Sequence, residues 1–232
     1  MMLRLFFALS LLGLTSSNAW ADDARALKWA SYTPNGWSVI LAAEGDLTAD
    51  KKSEAVIVVE EQDVSKIIDN ERLGEQKLNT NSRRLIILTP TTQGYRQIQS
   101  VDGFLPAEGD LESSCLADPL MEEGGIEIKK GILIVTLNYW LSCGSYGVTT
   151  DIYRFRQQGN RFRLIGKDSK SYSRSSGEGE EVSINYLTGR KRETTGITVI
   201  EPDDGGPVAR PKTKWSRIAL ETQYLDNVTT EQ

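Results

Sequence analysis

The sequence contains no histidine in its 232 residues. That absence removes the side chain whose ordinary pKa lies nearest neutrality. A Ser–His or Cys–His nucleophile, a histidine general base, and His-ligated zinc, iron or copper are excluded together. Cysteine is almost as scarce, with Cys115 and Cys143 the whole complement. Cys143, in Ser142-Cys143-Gly144, has no imidazole to activate it as a nucleophile. The chain has neither a P-loop nor a glycine-rich dinucleotide fingerprint after a strand. Beyond residue 21, no apolar run approaches the length that spans a bilayer.

What is present begins with a leader. Arg4, the apolar stretch LFFALSLLGL over 5–14, and Ala19-Trp20-Ala21 read as the n-region, h-region and cleavage site of a secretory signal peptide over 1–21. A single domain over 22–232 follows, placed in the periplasm or outside the cell. In that oxidising setting, Cys115 and Cys143 are expected to form one disulfide. A chain of this length buries a core without needing such a staple.

Charge is divided unevenly. Residues 22–125 hold 19 acids and 10 bases, whereas 126–232 hold 13 acids and 16 bases. The acidic total makes nucleic acid a poor partner. The bases of the second half gather at Arg154, Arg156, Arg161, Arg163, Lys167, Lys170 and Arg174, then Arg190, Lys191 and Arg192. On strands, Arg154 and Arg156 share a face, as do Arg161 and Arg163. Together with Tyr172 they form a candidate surface for a protein or cell-envelope partner. The competing reading is a solvated face that keeps strand edges apart.

The strongest strand signal lies in 126–168. Leu133, Val135, Leu137, Tyr139 and Leu141 share one parity, with β-branched and aromatic residues dominating. Gln157-Gln158-Gly159-Asn160 is a tight turn, so strands over 132–141, 146–156 and 161–166 make a meander. Further strands are expected at 37–43, 55–60, 84–89, 95–101, 182–187 and 215–220, with a short one at 27–32. The Ser/Gly-rich run 168–181 reads as a long surface loop. The fold class is all-β: antiparallel meanders in a small β-propeller-like array, with a β-sandwich as the alternative.

One loop has metal-ligand spacing. Asp46, Thr48, Asp50 and Glu54 stand at relative positions 1, 3, 5 and 9, just before the buried strand AVIVVE. GDLTADKKSEAVIVV resembles the calcium loop and following strand of FG-GAP or VCBS-type repeats, the blades of integrin-α-like propellers. The resemblance covers about residues 37–60. It implies a repeat-like strand–loop–strand and a possible Ca²⁺ site, with no other cofactor. The chain departs from the pattern at Lys51, where the repeats have a turn glycine, and at Thr48, where they have Asp or Asn. Lys51 and Lys52 also bring positive charge to the loop. The five residues AEGDL at 43–47 recur at 107–111, which reads as a degenerate second copy.

No catalytic residue is singled out. The expectation is a non-catalytic exported binding protein. The alternatives are an inhibitor or immunity protein against a toxin or hydrolase, and an envelope carbohydrate hydrolase built on a carboxylate pair.

Overall fold

The computed structural model describes residues 25–199 and 210–230. The expected signal peptide and residues 200–209 lie outside the described residues. Among these, no helix is long and apolar enough to cross a membrane.

Strands β1 (Trp37–Gly45), β2 (Glu54–Glu61), β5 (Arg83–Thr91) and β6 (Gly94–Asp102) pair in that order as a four-stranded antiparallel sheet. Between β2 and β5 the chain makes a small hairpin of β3 (Ile67–Asp69) and β4 (Lys77–Asn79). The second half is one uninterrupted meander. It comprises β7 (Gly125–Lys129), β8 (Ile132–Trp140), β9 (Gly147–Gln158), β10 (Arg161–Ser173), β11 (Glu178–Asn185), β12 (Arg190–Thr198) and β13 (Lys212–Arg217).

The two sheets share a core. Val56, Val58, Leu85 and Ile87 from the smaller sheet cluster with Leu133, Val135, Tyr153, Phe155, Phe162 and Leu164 from the larger. Phe104 fills the space between, edge-on to both Tyr153 and Phe155 with ring centroids 5.4 Å away. Each fully buried aliphatic or aromatic side chain of this kind contributes about 1.5–3 kcal/mol. Where β1 meets β7 the Ile128 side chain lies so close to the β1 backbone that a Cβ on Gly45 would sit 2.9 Å from its Cγ2.

The all-β, antiparallel-meander reading therefore holds, and the two facing sheets match the sandwich alternative. The propeller-like array finds no support in this topology. Blades require a break in pairing after every few strands, whereas the ladder from β7 to β13 is continuous.

Two local expectations are corrected. Residues 27–32 are helical: 25–29 form a helical turn that continues into a 3-10 turn at Ala30–Tyr32. Trp29 is buried there with Ile57, Val59 and Leu88, sealing the far face of the four-stranded sheet, so β2 is buried on both sides. Residues 168–181 are not a long loop either. They are the arms of the β10–β11 hairpin, in which only 174–177 turn the chain. The serines and glycines suggest a loop by composition, but Ser169 and Ser171 take their places on a ladder running from Gly166↔Asn185 to Tyr172↔Gly179.

The larger sheet outreaches the smaller one. No residue of β11, β12 or β13 is buried, so these strands form a wing with both faces open. The chain then returns. Leu225 N–H donates to Phe162 O and Leu164 N–H to Gln223 O, on the stretch of β10 that β11 leaves free. Leu225 and Val228 join the shared core.

Candidate functional site

The 46–54 loop links β1 to β2, and its organiser is Glu54. This carboxylate is fully buried. Its Oε2 accepts from the Leu47 amide at 2.8 Å and the Thr48 amide at 3.0 Å, and its Oε1 accepts from Thr48 Oγ1 at 3.2 Å. Asp46 Oδ2 accepts from the Lys51 amide at 3.1 Å. Asp50 Oδ1 accepts from the Lys52 amide at 2.9 Å, and Lys52 Nζ lies 3.0 Å from Asp50 Oδ2. That amide, together with the lysine's ammonium, holds the Asp50 carboxyl below the ordinary range. Lys51 has φ 67° and Ala49 φ 62°, the left-handed region that favours glycine. The loop thus makes its tight turn through two non-glycine residues with positive φ.

The structure does bring the three predicted carboxylates together, with one oxygen from each of Asp46, Asp50 and Glu54 within 4.8 Å of the others. Calcium needs six to eight oxygens. Here Glu54 is engaged by protein donors, Asp50 is paired with Lys52, and Asp46 Oδ1 is the one buried carboxylate oxygen of the loop left without a partner. Thr48 uses its hydroxyl as a donor. Three carboxylates and one hydroxyl fall short of that number, and the loop is closed by its own amides and by one lysine. Replacing Glu54 with Gln puts an NH₂ group against donors and should lower stability by about 1–3 kcal/mol. Thermal unfolding checks this, and millimolar Ca²⁺ should leave the midpoint of wild type and variant unchanged.

The second AEGDL copy does not assemble a similar loop. Asp110 and Glu112 lie in the connection between β6 and β7. Ser114 Oγ donates to Leu73 O, and Asp118 binds Arg83. Cys115 and Cys143 form the expected disulfide, with Cα atoms 5.3 Å apart.

The predicted arginines do share one face. Arg156 stands opposite Arg163 across the β9–β10 ladder, Arg154 shares its side two residues away on β9, and the bulge between Leu164 and Gly166 brings Asp168 and Lys170 of β10 onto that side too. Several are already engaged. Arg154 Nη1 binds Asp168 Oδ2 at 2.6 Å. Arg161 pairs with Asp226 and stacks on Tyr224, its guanidinium 3.8 Å from the ring centroid. Arg163 is half-buried, whereas Arg156 is exposed. Tyr172 is half-buried opposite Val148 and Gly179.

The larger basic surface lies one step further along the sheet. Register carries the Arg154 side across to Asn185, Arg190 and Arg217, and the Asp168 side across to Ser183, Arg192 and Trp215. Lys170 belongs to this face too, and among the described residues Asp168 of β10 and Glu181 of β11 oppose these bases, Glu181 lying 3.9 Å from Lys170 and 4.0 Å from Arg192. Trp215 is 56% exposed, with the Arg190 guanidinium 4.5 Å from its ring centroid. A groove of about 280 Å³ runs between the wing and β9, lined by Thr150, Ile152, Lys170, Glu181 and Arg192. Sequence reading had noted Arg190 and Arg192 as part of the basic cluster. It missed Trp215 and Arg217 because only the β12–β13 register places them on that face. The alternation in KTKWSR was the available signal.

The site is thus an open sheet face with basic and aromatic side chains, on a two-sheet all-β protein. No protein-family model matches the chain, and no curated protein or solved structure matches it either.

Proposed function

We propose that this chain is an exported, non-catalytic binding protein whose contact surface is the outer face of strands β9 to β13, and that its partner is an acidic protein surface. The observation that carries the reading is the uncovered wing. Arg190, Arg192 and Arg217 flank an exposed Trp215, Lys170 lies on the same face two strands beyond Arg192, and no element of the described chain packs over them. Arginine and tryptophan are the residues on which protein interfaces concentrate their energy, and a one-signed patch accelerates association with a partner of opposite sign. The leader pattern and the disulfide support export. An inhibitor or immunity role would be one case of the same reading, with a toxin or hydrolase as the acidic partner.

The hydrolase alternative has less support. The two carboxylates that the fold clamps together, Glu60 and Asp118, both bind the guanidinium of Arg83. Both are thereby engaged within the fold, whereas glycoside hydrolysis needs two carboxyl groups flanking the bound substrate.

Retention of the full chain on immobilised poly-L-glutamate provides the test. Wild type should be retained at low salt and elute as salt screens the patch. The double variant Arg190→Glu, Arg192→Glu should pass through unretained, with an unfolding midpoint close to wild type. Equal retention of both proteins would refute the assigned face. Tighter binding to a sulfated polysaccharide than to the polypeptide would shift the partner class to an anionic glycan.

A further inference from the structure

A second cavity lies on the opposite side of the large sheet, at the disulfide end. It has a volume of about 280 Å³ and is lined by Asp110, Ser113, Leu116, Tyr139, Leu141, Thr149 and Asp151. Its floor is unusual for a core-facing surface. Asp151 sits opposite Leu137 on the side of β9 that otherwise carries Tyr153 and Phe155, and it is 5% exposed. Its Oδ2 is provided for, by Lys167 Nζ at 3.1 Å and the Tyr153 hydroxyl at 3.3 Å. Its Oδ1 is buried and meets no hydrogen-bond partner in the protein. Beside it the Tyr139 hydroxyl is buried and also meets none at hydrogen-bonding geometry. Burial pushes the Tyr139 phenol well above its ordinary pKa, so it stays protonated.

These groups define what would fit. A buried carboxylate oxygen without a donor costs about 1–3 kcal/mol, which a ligand donor can recover. Two carboxylates, Asp110 and Asp151, line the cavity. Lys167 reaches Asp151 from its other oxygen, so the cavity keeps an excess of negative charge. The walls are aliphatic at Leu116 and Leu141, and the Tyr139 ring offers a face that attracts cations. The volume lies below that of a drug-sized site. We infer that this cavity binds a small ligand carrying a primary ammonium group on a short aliphatic body, with the ammonium donating to Asp151 Oδ1. The site is separate from the basic face, and neither reading depends on the other.

Titration of the full chain with n-butylammonium chloride, followed by NMR shifts of amides in β8 and β9, tests this. Saturable one-to-one binding is expected below roughly 10 mM, with 1-butanol at least about tenfold weaker. Asp151→Asn should weaken the ammonium by about tenfold or more. Because that variant leaves Lys167 unpaired and could lose its fold, Leu141→Trp gives a second arm. It fills the cavity from the wall and should abolish binding with little change in unfolding temperature. The inference is overturned if n-butylammonium does not saturate, if 1-butanol binds equally well, or if Leu141→Trp binds like wild type.

Discussion

Arg83→Ala will destabilise the fold by about 3–5 kcal/mol, the cost of removing one partner from a buried ionic cluster. Arg83 opens β5, and its side chain is 1% exposed. Its Nε binds Glu60 Oε2 at 2.8 Å, on the residue directly opposite it in the β2–β5 ladder. Its two terminal nitrogens bind both oxygens of Asp118 at 2.6 Å. Burial opposes its charge, and Asp118 and then Glu60 more than offset that, so its pKa lies above the ordinary value. Alanine would leave two carboxylates facing each other with no cation. Lysine keeps the charge but loses the fork, so Arg83→Lys should fall between alanine and wild type. Replacing Glu60, Arg83 and Asp118 together by apolar residues should recover much of the loss, because a well-packed apolar cluster often equals a buried ion cluster. Denaturant midpoints of the three variants separate these outcomes. A loss below about 1 kcal/mol for Arg83→Ala would mean that water reaches the cluster.

The second large effect is expected from the disulfide. Cys115 and Cys143 close a loop with a sequence separation of 28. Chain-entropy estimates for a loop of that size give about 3–4 kcal/mol. The loop contains β7 and β8, and Cys115 O accepts from the Ser142 amide at 2.8 Å, so the staple lies on an already paired edge. Cys115→Ser with Cys143→Ser should lower the denaturant midpoint accordingly. A reducing agent should produce the same shift in wild type and none in the double variant. A small shift in both would show that the edge contacts hold the loop closed in the unfolded ensemble as well.

Much of the fold was legible because periodicity and parity act locally. The run from Ile132 to Trp140 declared its inner face through Leu133, Val135 and Leu137, and all three are fully buried. Composition misled where it competed with parity. The serines of 168–181 resemble a loop until the ladder shows them alternating on a hairpin. Trp29 sits in a stretch read as a strand, but the far face of β2 needs a cover and a helical turn supplies it. The site was less legible. Spacing did gather Asp46, Asp50 and Glu54, yet it could not show that Glu54 points inward to collect amide donors. Asp151 had a visible signal, a charge on the apolar parity of its strand. Its meaning depended on Lys167 and Tyr139, which lie on two neighbouring strands. Trp215 joins Arg192 only through a strand pairing between segments 23 residues apart in sequence.

The returning C-terminal segment has a consequence for how the chain becomes a folded protein. Leu225 and Val228 are part of the shared core, and Thr230 Oγ1 donates to Phe104 O across 126 residues of sequence. The interior therefore stays open until residues near 230 have been made and brought back to β10. Contacts of such long range also form slowly. Closure of the core has to wait for the segment 225–230, and an interior that closes last keeps the chain unfolded for longer.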